Sequence, residues 1–240
     1  MTDKAPTVRL ALEAFVIVGS ILLAFAIDAA WDNHQESRVR AELLESLIDD
    51  FEVTRERLAA SIQTAQSHYE RNTRFLKAIS DGVPLTRDEI GELVYSFVTW
   101  VGFEPALATY ESAVGRDGLA SIHSVGFSRA VAQFYEHKHI YDLHNEIFLE
   151  MYYQGSLHSI QRELGSLGVL LRGEESCEAR SCIFPEELDM STEDLRKFLL
   201  RPSIYAGFES ARIVQINLLE ALQGMDSSVD DILSELDVMR

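Results

Sequence analysis

Residues 10–30, LALEAFVIVGSILLAFAIDAA, form an apolar run near the N-terminus that decides most of this chain's architecture. No charged residue lies between positions 14 and 27, and the run continues into Trp31. At ~1.5 Å per residue, a helix of this length covers about 30 Å, the thickness of a bilayer's hydrocarbon core. The pattern predicts a transmembrane helix at residues 10–31, a short cytoplasmic N-terminus at residues 1–9 and an ectodomain at residues 32–240.

Two carboxylates, Glu13 and Asp28, lie just inside the ends of this predicted span. Side chains near the ends of a span can reach the headgroup layer, which lowers the cost of their charge. Intramembrane carboxylates also mark ion paths or partner helices, so a pairing role stays open for both. Trp31 follows at the position of an interfacial aromatic anchor.

Two other interpretations of the apolar run remain. A cleaved signal peptide would use a small-x-small site such as Ala24-Phe25-Ala26, although Glu13 is a poor neighbour for the apolar core of such a peptide. A buried helix of a soluble domain would also tolerate the uncharged stretch. We favour the uncleaved anchor because the apolar run has spanning length.

The charges around the run favour one orientation. Lys4 and Arg9 precede the predicted span closely, whereas Arg38 and Arg40 follow at a greater distance. Positive residues are enriched on the cytoplasmic side. We therefore expect a bacterial inner-membrane protein whose C-terminal domain is periplasmic.

The two cysteines, Cys177 and Cys182, lie close together in an acidic loop predicted at residues 173–190. A lone, local pair in an oxidising compartment indicates a disulfide. Two free thiols remain the alternative. A structural zinc site is disfavoured because it needs about four ligands and no second Cys/His pair has suitable spacing.

The net charge of −18 bears on partners. Such a chain repels phosphate backbones and anionic headgroups, and no basic stripe with interleaved aromatic residues is present. The composition therefore argues against nucleic-acid binding. The expected partners are the bilayer, through residues 10–31, and either another protein or a second copy of this chain.

The residues beyond the predicted span carry a heptad pattern. No Gly or Pro occurs between Ser20 and Asp81, and apolar residues recur every three or four positions, interrupted by Arg55 and Asn72. This packing seam comprises Leu44, Ile48, Phe51, Leu58, Ile62, Ala65, Tyr69, Leu76 and Ile79. A coiled coil between chains and a bundle within one chain both produce such a pattern, and further long helices downstream favour the bundle.

The positions of the helix-capping and helix-ending residues in the rest of the chain predict an all-α fold. Long helices are expected at about residues 34–80, 125–170 and 202–236, with short helices between them. No segment alternates with period two, and no hairpin signal occurs. The fold class is therefore one transmembrane helix continuing into a long amphipathic helix, followed by an up-down helical bundle.

Two blocks resemble a family of uncharacterised bacterial membrane proteins, domain of unknown function 6090. The first block runs from Gly19 through IDAAWDN at positions 27–33 to LIDDF at positions 47–51; the second includes Phe103-Glu104-Pro105, residues 118–122 and VAQFY at positions 131–135. The resemblance covers roughly the first 135 residues, with Ala30 where the family usually has Asn. It implies an uncleaved anchor and a helical ectodomain, and brings no activity, ligand or partner.

The stretch at residues 134–146 holds the best metal-like pair. Glu136-x-x-His139 is half of a carboxylate-bridged di-metal signature, but the chain lacks the second Glu-x-x-His that such a site needs. His137, His144, Met151 and His158 recur every seven residues, ~10 Å apart along a helix, which is too far to share one ion. We therefore expect no cofactor, and keep Glu136 and His139 as weak metal candidates.

No pattern for nucleophilic or phosphate chemistry is present. The chain lacks Gly-x-Ser-x-Gly and a phosphate-cradling Gly-rich loop, and neither cysteine neighbours a basic cluster. The sequence predicts a non-catalytic accessory or scaffold subunit of a membrane assembly. A ligand-sensing periplasmic bundle is the alternative, and a metal-binding bundle enzyme ranks third.

Overall fold

A computed structural model describes residues 5–86, 89, 96–97, 101–115, 122, 124–155, 158 and 192–240. The side chains of residues 5–14, 16, 17, 192 and 195 lie outside this description. The helices whose bounds fall within these residues are α1 (Ala5–Asp81), α2 (Ala108–Val114), α3 (Val125–Tyr153), α4 (Thr192–Leu199) and α5 (Pro202–Met239). The described residues contain no strand, which confirms the all-α prediction.

Helix α1 is 77 residues long, which corresponds to about 115 Å at 1.5 Å per residue. It ends in a Schellman motif, in which the Gly82 N–H donates to the Ile79 carbonyl at 3.3 Å and the Val83 N–H donates to the Ala78 carbonyl at 2.9 Å. Gly82 has a φ of 73°, a left-handed conformation that glycine adopts without strain. Pro84 then prevents the helix from resuming.

Helix α5 lies between α1 and α3 and runs antiparallel to both. Asn72 of α1 bonds Gln215, whereas Arg55, closer to the start of α1, pairs with the later residue Asp230. Against α3, Ser124 at its N-cap bonds Glu235 near the end of α5. Helices α1 and α3 therefore run parallel to each other, with α5 antiparallel between them.

The fourth member of the bundle is only partly helical. We call residues 96–97 and 101–114 the returning segment, because it runs down α1 in the opposite direction. Its successive contacts with α1 are Ser96 with Asn72, Gly102 with Ser61, Ala106 with Thr54, and Thr109 with Asp50. The arrangement is thus an up-down bundle of α1, the returning segment, α3 and α5.

Aromatic side chains fill both ends of the core. At the end farther from the N-terminus, Phe75, Phe97 and Phe208 pack with ring centroids 4.7–5.9 Å apart. At the nearer end, Phe51 makes edge-to-face contacts with Tyr110 and Phe134 at 6.4 Å. Such contacts add to the stabilisation from burial, because ring edges are electropositive and ring faces electronegative.

The second long helix is shorter than the sequence predicts. Helix α3 ends at Tyr153, not near residue 170, because Gln154 leaves helical geometry with φ −131° and ψ −18° and a glycine, Gly155, follows. The last helix extends to Met239, three residues beyond the predicted 236. The cysteine loop at residues 173–190, with Cys177 and Cys182, lies outside the described residues.

The N-terminal part of α1 projects beyond the bundle. Every described side chain before Leu43 is exposed, and Leu44 is the first that is buried. The large apolar residues Phe15, Val18, Ile21, Leu22, Leu23, Phe25, Ile27 and Trp31 are 51–75% exposed. Within the part of the chain that the structure describes, no helix has a stretch long and apolar enough to cross a membrane.

Candidate functional site

The predicted packing seam lies along the contact of α1 with the bundle. Leu44, Phe51, Leu58, Ala65, Leu76 and Ile79 are buried, and Ile48, Ile62 and Tyr69 are half-buried. The two polar interruptions differ from each other. Arg55 is exposed and pairs with Asp230 at 3.8 Å, whereas Asn72 is fully buried.

Asn72 belongs to a buried polar cluster with Ser96 and Gln215. The Asn72 side-chain amide donates to the Gln215 side-chain carbonyl, and the Ser96 hydroxyl donates to the Asn72 side-chain carbonyl. The Ser96 backbone carbonyl accepts from Gln215 at 3.1 Å and from Asn72 at 3.3 Å. The cluster joins α1, the returning segment and α5 through neutral groups that satisfy one another, so its arrangement is structural.

His68 lies one helical turn before Asn72 and is also buried. Burial lowers the pKa of His68 below its usual 6.5, and the positive charge of Arg71 lowers it further. Its Nδ1 atom has no hydrogen-bond partner among the described groups. His68 is therefore a neutral imidazole at pH 7 within the packed face of α1.

Residues 101–107, here called the strap, have no regular secondary structure and lie between α1 and α3. Their alternate backbone groups face α1: Arg57 donates to Glu104 O at 3.1 Å, Ser61 donates to Gly102 O at 3.4 Å, and Thr54 Oγ1 accepts from Ala106 N at 2.9 Å. This period of two is that of an extended chain. Side chains of α1 thus satisfy backbone groups that a helix would have satisfied internally.

The other side of the strap faces α3. The Tyr141 hydroxyl donates to the Val101 carbonyl at 2.8 Å, and the Tyr141 ring packs edge-on against Phe103 at 6.0 Å. Burial raises the pKa of Tyr141 to about 12, so this hydroxyl keeps its proton at neutral pH. The tyrosine therefore holds the strap as a hydrogen-bond donor, and its arrangement with the strap is also structural.

A cavity of about 260 Å³ lies where α1 ends against α4. Its lining comprises Ile79, Val83, Pro84, Leu85, Glu193, Arg196 and Leu199. The Arg196 Nε atom is buried and has no hydrogen-bond partner among the described residues. A mainly apolar concavity with a few polar groups, here Glu193 and Arg196, is the usual form of a small-molecule site, which makes this cavity the candidate binding site.

The metal candidates Glu136 and His139 are both exposed on α3. Among the described residues, no group of three or more His, Cys, Asp or Glu side chains could hold a metal ion. The nearby Lys138 pairs with Asp142 at 2.7 Å, as expected for a solvated helix face. The arrangement of these residues gives a metal no second ligand group from another described helix.

The predicted membrane residues are only partly described. Asp28 is exposed, Trp31 is 69% exposed, and the Glu13 side chain lies outside the described residues. Sequence reasoning did not single out Arg196 or the cavity. The Gly82-Val83-Pro84 signal located one wall, but the other wall comes from a helix more than a hundred residues later.

The chain matches no protein-family model, no curated protein and no solved structure. The resemblance to domain of unknown function 6090 stays a prediction.

Proposed function

We propose that this protein is a non-catalytic accessory or scaffold subunit anchored in the bacterial inner membrane by residues 10–31, with a periplasmic bundle. The supporting observation is that α1, which forms one wall of the bundle core, continues outward with large apolar side chains exposed. Soluble monomers rarely expose contiguous apolar patches above a few hundred Å². Lipid, or lipid together with a partner helix, is the expected cover.

The interior supports a role in contact. The buried polar cluster of Asn72, Ser96 and Gln215 joins α1, the returning segment and α5 through neutral amide and hydroxyl groups. The outward face of α3 offers a contact surface, because Ile140, Leu143 and Ile147 follow helical spacing and are 37–49% exposed. The expected partner is a membrane protein with a periplasmic region that reaches this face.

A second candidate function, ligand sensing by the bundle, rests on the cavity between α1 and α4. The cavity is lined by the C-terminal end of α1, and α1 is the helix that continues toward the proposed membrane span. This position supports the sensing alternative. Anchoring is common to both functions.

Membrane fractionation with alkaline carbonate extraction tests the anchor. The wild-type chain is expected in the pellet, whereas Leu22→Lys with Phe25→Lys is expected in the supernatant, because each lysine near a span centre costs about 2.5–3.5 kcal/mol. Val39→Lys, beyond the predicted span, is the matched control and should stay in the pellet. Wild-type protein that extracts completely would exclude the anchor.

Site-specific photo-crosslinking in cells tests the accessory role. A crosslinker at Leu143 should give one discrete adduct with a membrane protein, or with a second copy of the chain. A crosslinker at the exposed Glu220 of α5 is the control and should not. The absence of any adduct from α3 would contradict the accessory role without affecting the anchor.

A reporter fusion tests the orientation. A reporter that requires export, fused after Arg240, should be active.

A further inference from the structure

We propose that the cavity between the end of α1 and α4 binds a small molecule with an apolar body and one carboxylate, which Arg196 recognises. This inference is independent of the accessory role and of the membrane anchor. The same cavity is the site on which the ligand-sensing alternative rests.

Five of the seven described residues that line the cavity are apolar. Ile79 and Leu199 are buried core residues, while Val83, Pro84 and Leu85 belong to the turn that follows α1. The volume of about 260 Å³ lies just below the ~300–1,000 Å³ that is typical of ligand pockets. The body of the ligand is therefore small, on the scale of one aromatic ring with a short chain.

Arg196 is the charged group best placed to bind such a ligand. Its guanidinium packs over Gly82, where an added Cβ would lie 2.9 Å from Nη2. The glycine therefore allows the guanidinium to approach the end of α1. The buried Nε atom of Arg196 has no hydrogen-bond acceptor among the described residues. A guanidinium offers a planar fork of donors that matches the two oxygens of a carboxylate.

Glu193, the acidic residue of the described lining, does not form an ion pair with Arg196. Glu193 pairs instead with Lys197 at 3.8 Å, and Arg196 has no ion pair with any described carboxylate. The net charge of −18 opposes anions at long range, but charges beyond the Debye length of ~8 Å are largely screened at physiological salt. Local groups therefore decide: among the described lining residues Arg196 carries the positive charge, and Glu193 and Asp194 both pair with Lys197.

Ligand-observed NMR on the purified full chain tests the proposal. The probes are 3-phenylpropanoate, its neutral counterpart 3-phenylpropanol, and inorganic phosphate. We expect saturable binding of 3-phenylpropanoate, at least tenfold tighter than the alcohol, since bonds between a charged donor and acceptor contribute the difference. Phosphate should bind no more tightly than the alcohol. Equal binding of carboxylate and alcohol, binding of phosphate as tight as that of the carboxylate, or no saturable carboxylate binding would overturn the proposal.

Two substitutions on one helix locate the site. Arg196→Gln should weaken 3-phenylpropanoate binding about tenfold or more, whereas Lys197→Gln, the exposed neighbour, should change it less than twofold. Should Arg196→Gln fail to fold, Arg196→Lys keeps the charge but loses the fork and should bind several-fold more weakly. Val83→Phe, which fills the cavity, should abolish binding of both organic probes. Unchanged carboxylate affinity in the folded Arg196 variants, or in Val83→Phe, would overturn the assignment.

Discussion

Residues 15–42 and residues 44–81 belong to the same helix but have different surroundings. The described side chains of the first part are exposed up to residue 42, whereas buried positions recur through the second. Local support in the first part is limited to contacts such as Arg38 with Glu42 at 3.9 Å, and exposed pairs of this kind contribute only about 0.3–0.5 kcal/mol. Helices in proteins depend mainly on packing, so the bundle stabilises the second part, whereas the first part packs against no other described element.

Leu58→Asp should have the largest effect on the packed part. Leu58 is completely buried, and a carboxylate there has no counterion in an apolar contact, which should cost about 4 kcal/mol or more. Thermal unfolding followed by circular dichroism should show the loss of the cooperative transition. Val53→Asp is the matched control on an exposed position and should cost about 1 kcal/mol or less; equal effects would show that α1 packs differently.

Asn72→Ala should sharpen the comparison at the polar layer. The change removes the buried hydrogen bonds that Asn72 makes with Ser96 and Gln215, which should cost about 1–3 kcal/mol. Urea unfolding measures the difference, and Asn33→Ala in the exposed part should cost less than about 0.5 kcal/mol. A neutral Asn72→Ala would mean that the cluster contributes nothing to the bundle.

The pKa of His68 predicts a dependence of bundle stability on pH. Because its pKa is lowered in the folded protein, the unfolded chain binds the proton first as pH falls below about 6.5. The contribution of neutral His68 is present above that pH and is lost as pH falls through the lower, folded-state pKa. Melting temperatures at pH 7.5 and 5 should therefore differ more for the wild type than for His68→Gln. His139→Gln, at an exposed position, should behave like the wild type, and identical pH responses of all three proteins would refute the assignment.

Glu136→Ala combined with His139→Ala should have the smallest effect. Both side chains are exposed, so the melting transition should correspond to a change within about 0.5 kcal/mol. Elemental analysis should find the same background metal content in the variant and the wild type. Stoichiometric iron, manganese or zinc that disappears in the variant would favour the metal-enzyme alternative.

The heptad pattern predicted one face of α1 but not its width. Leu47, Thr54, His68 and Phe75 flank the predicted positions and are also buried. A two-position heptad describes packing against one helix, whereas α1 packs against both α5 and the returning segment. A helix with two neighbours buries a wider face, so the identity of the second neighbour was needed to predict these residues.

The strap and the cavity show where local patterns end. Gly102 and Pro105 exclude a regular helix there, but they do not indicate that Arg57 and Tyr141 will hold the chain from opposite sides. The cavity likewise depends on a contact between Gly82 and Arg196, which are distant in sequence. Both features arise from tertiary contacts between segments that carry no shared motif.

Because α1 is one continuous helix, the angle about its axis between the apolar surface of residues 15–31 and the packed face of residues 44–81 is fixed. Each residue turns a helix by about 100°, so one residue inserted at positions 32–42 would rotate the apolar surface of residues 15–31 by that angle relative to the bundle. Seven inserted residues would restore the phase to within about 20° while lengthening the helix by about 10 Å. The direction in which the cavity and the outer face of α3 point is therefore set by the residue count of this connecting stretch.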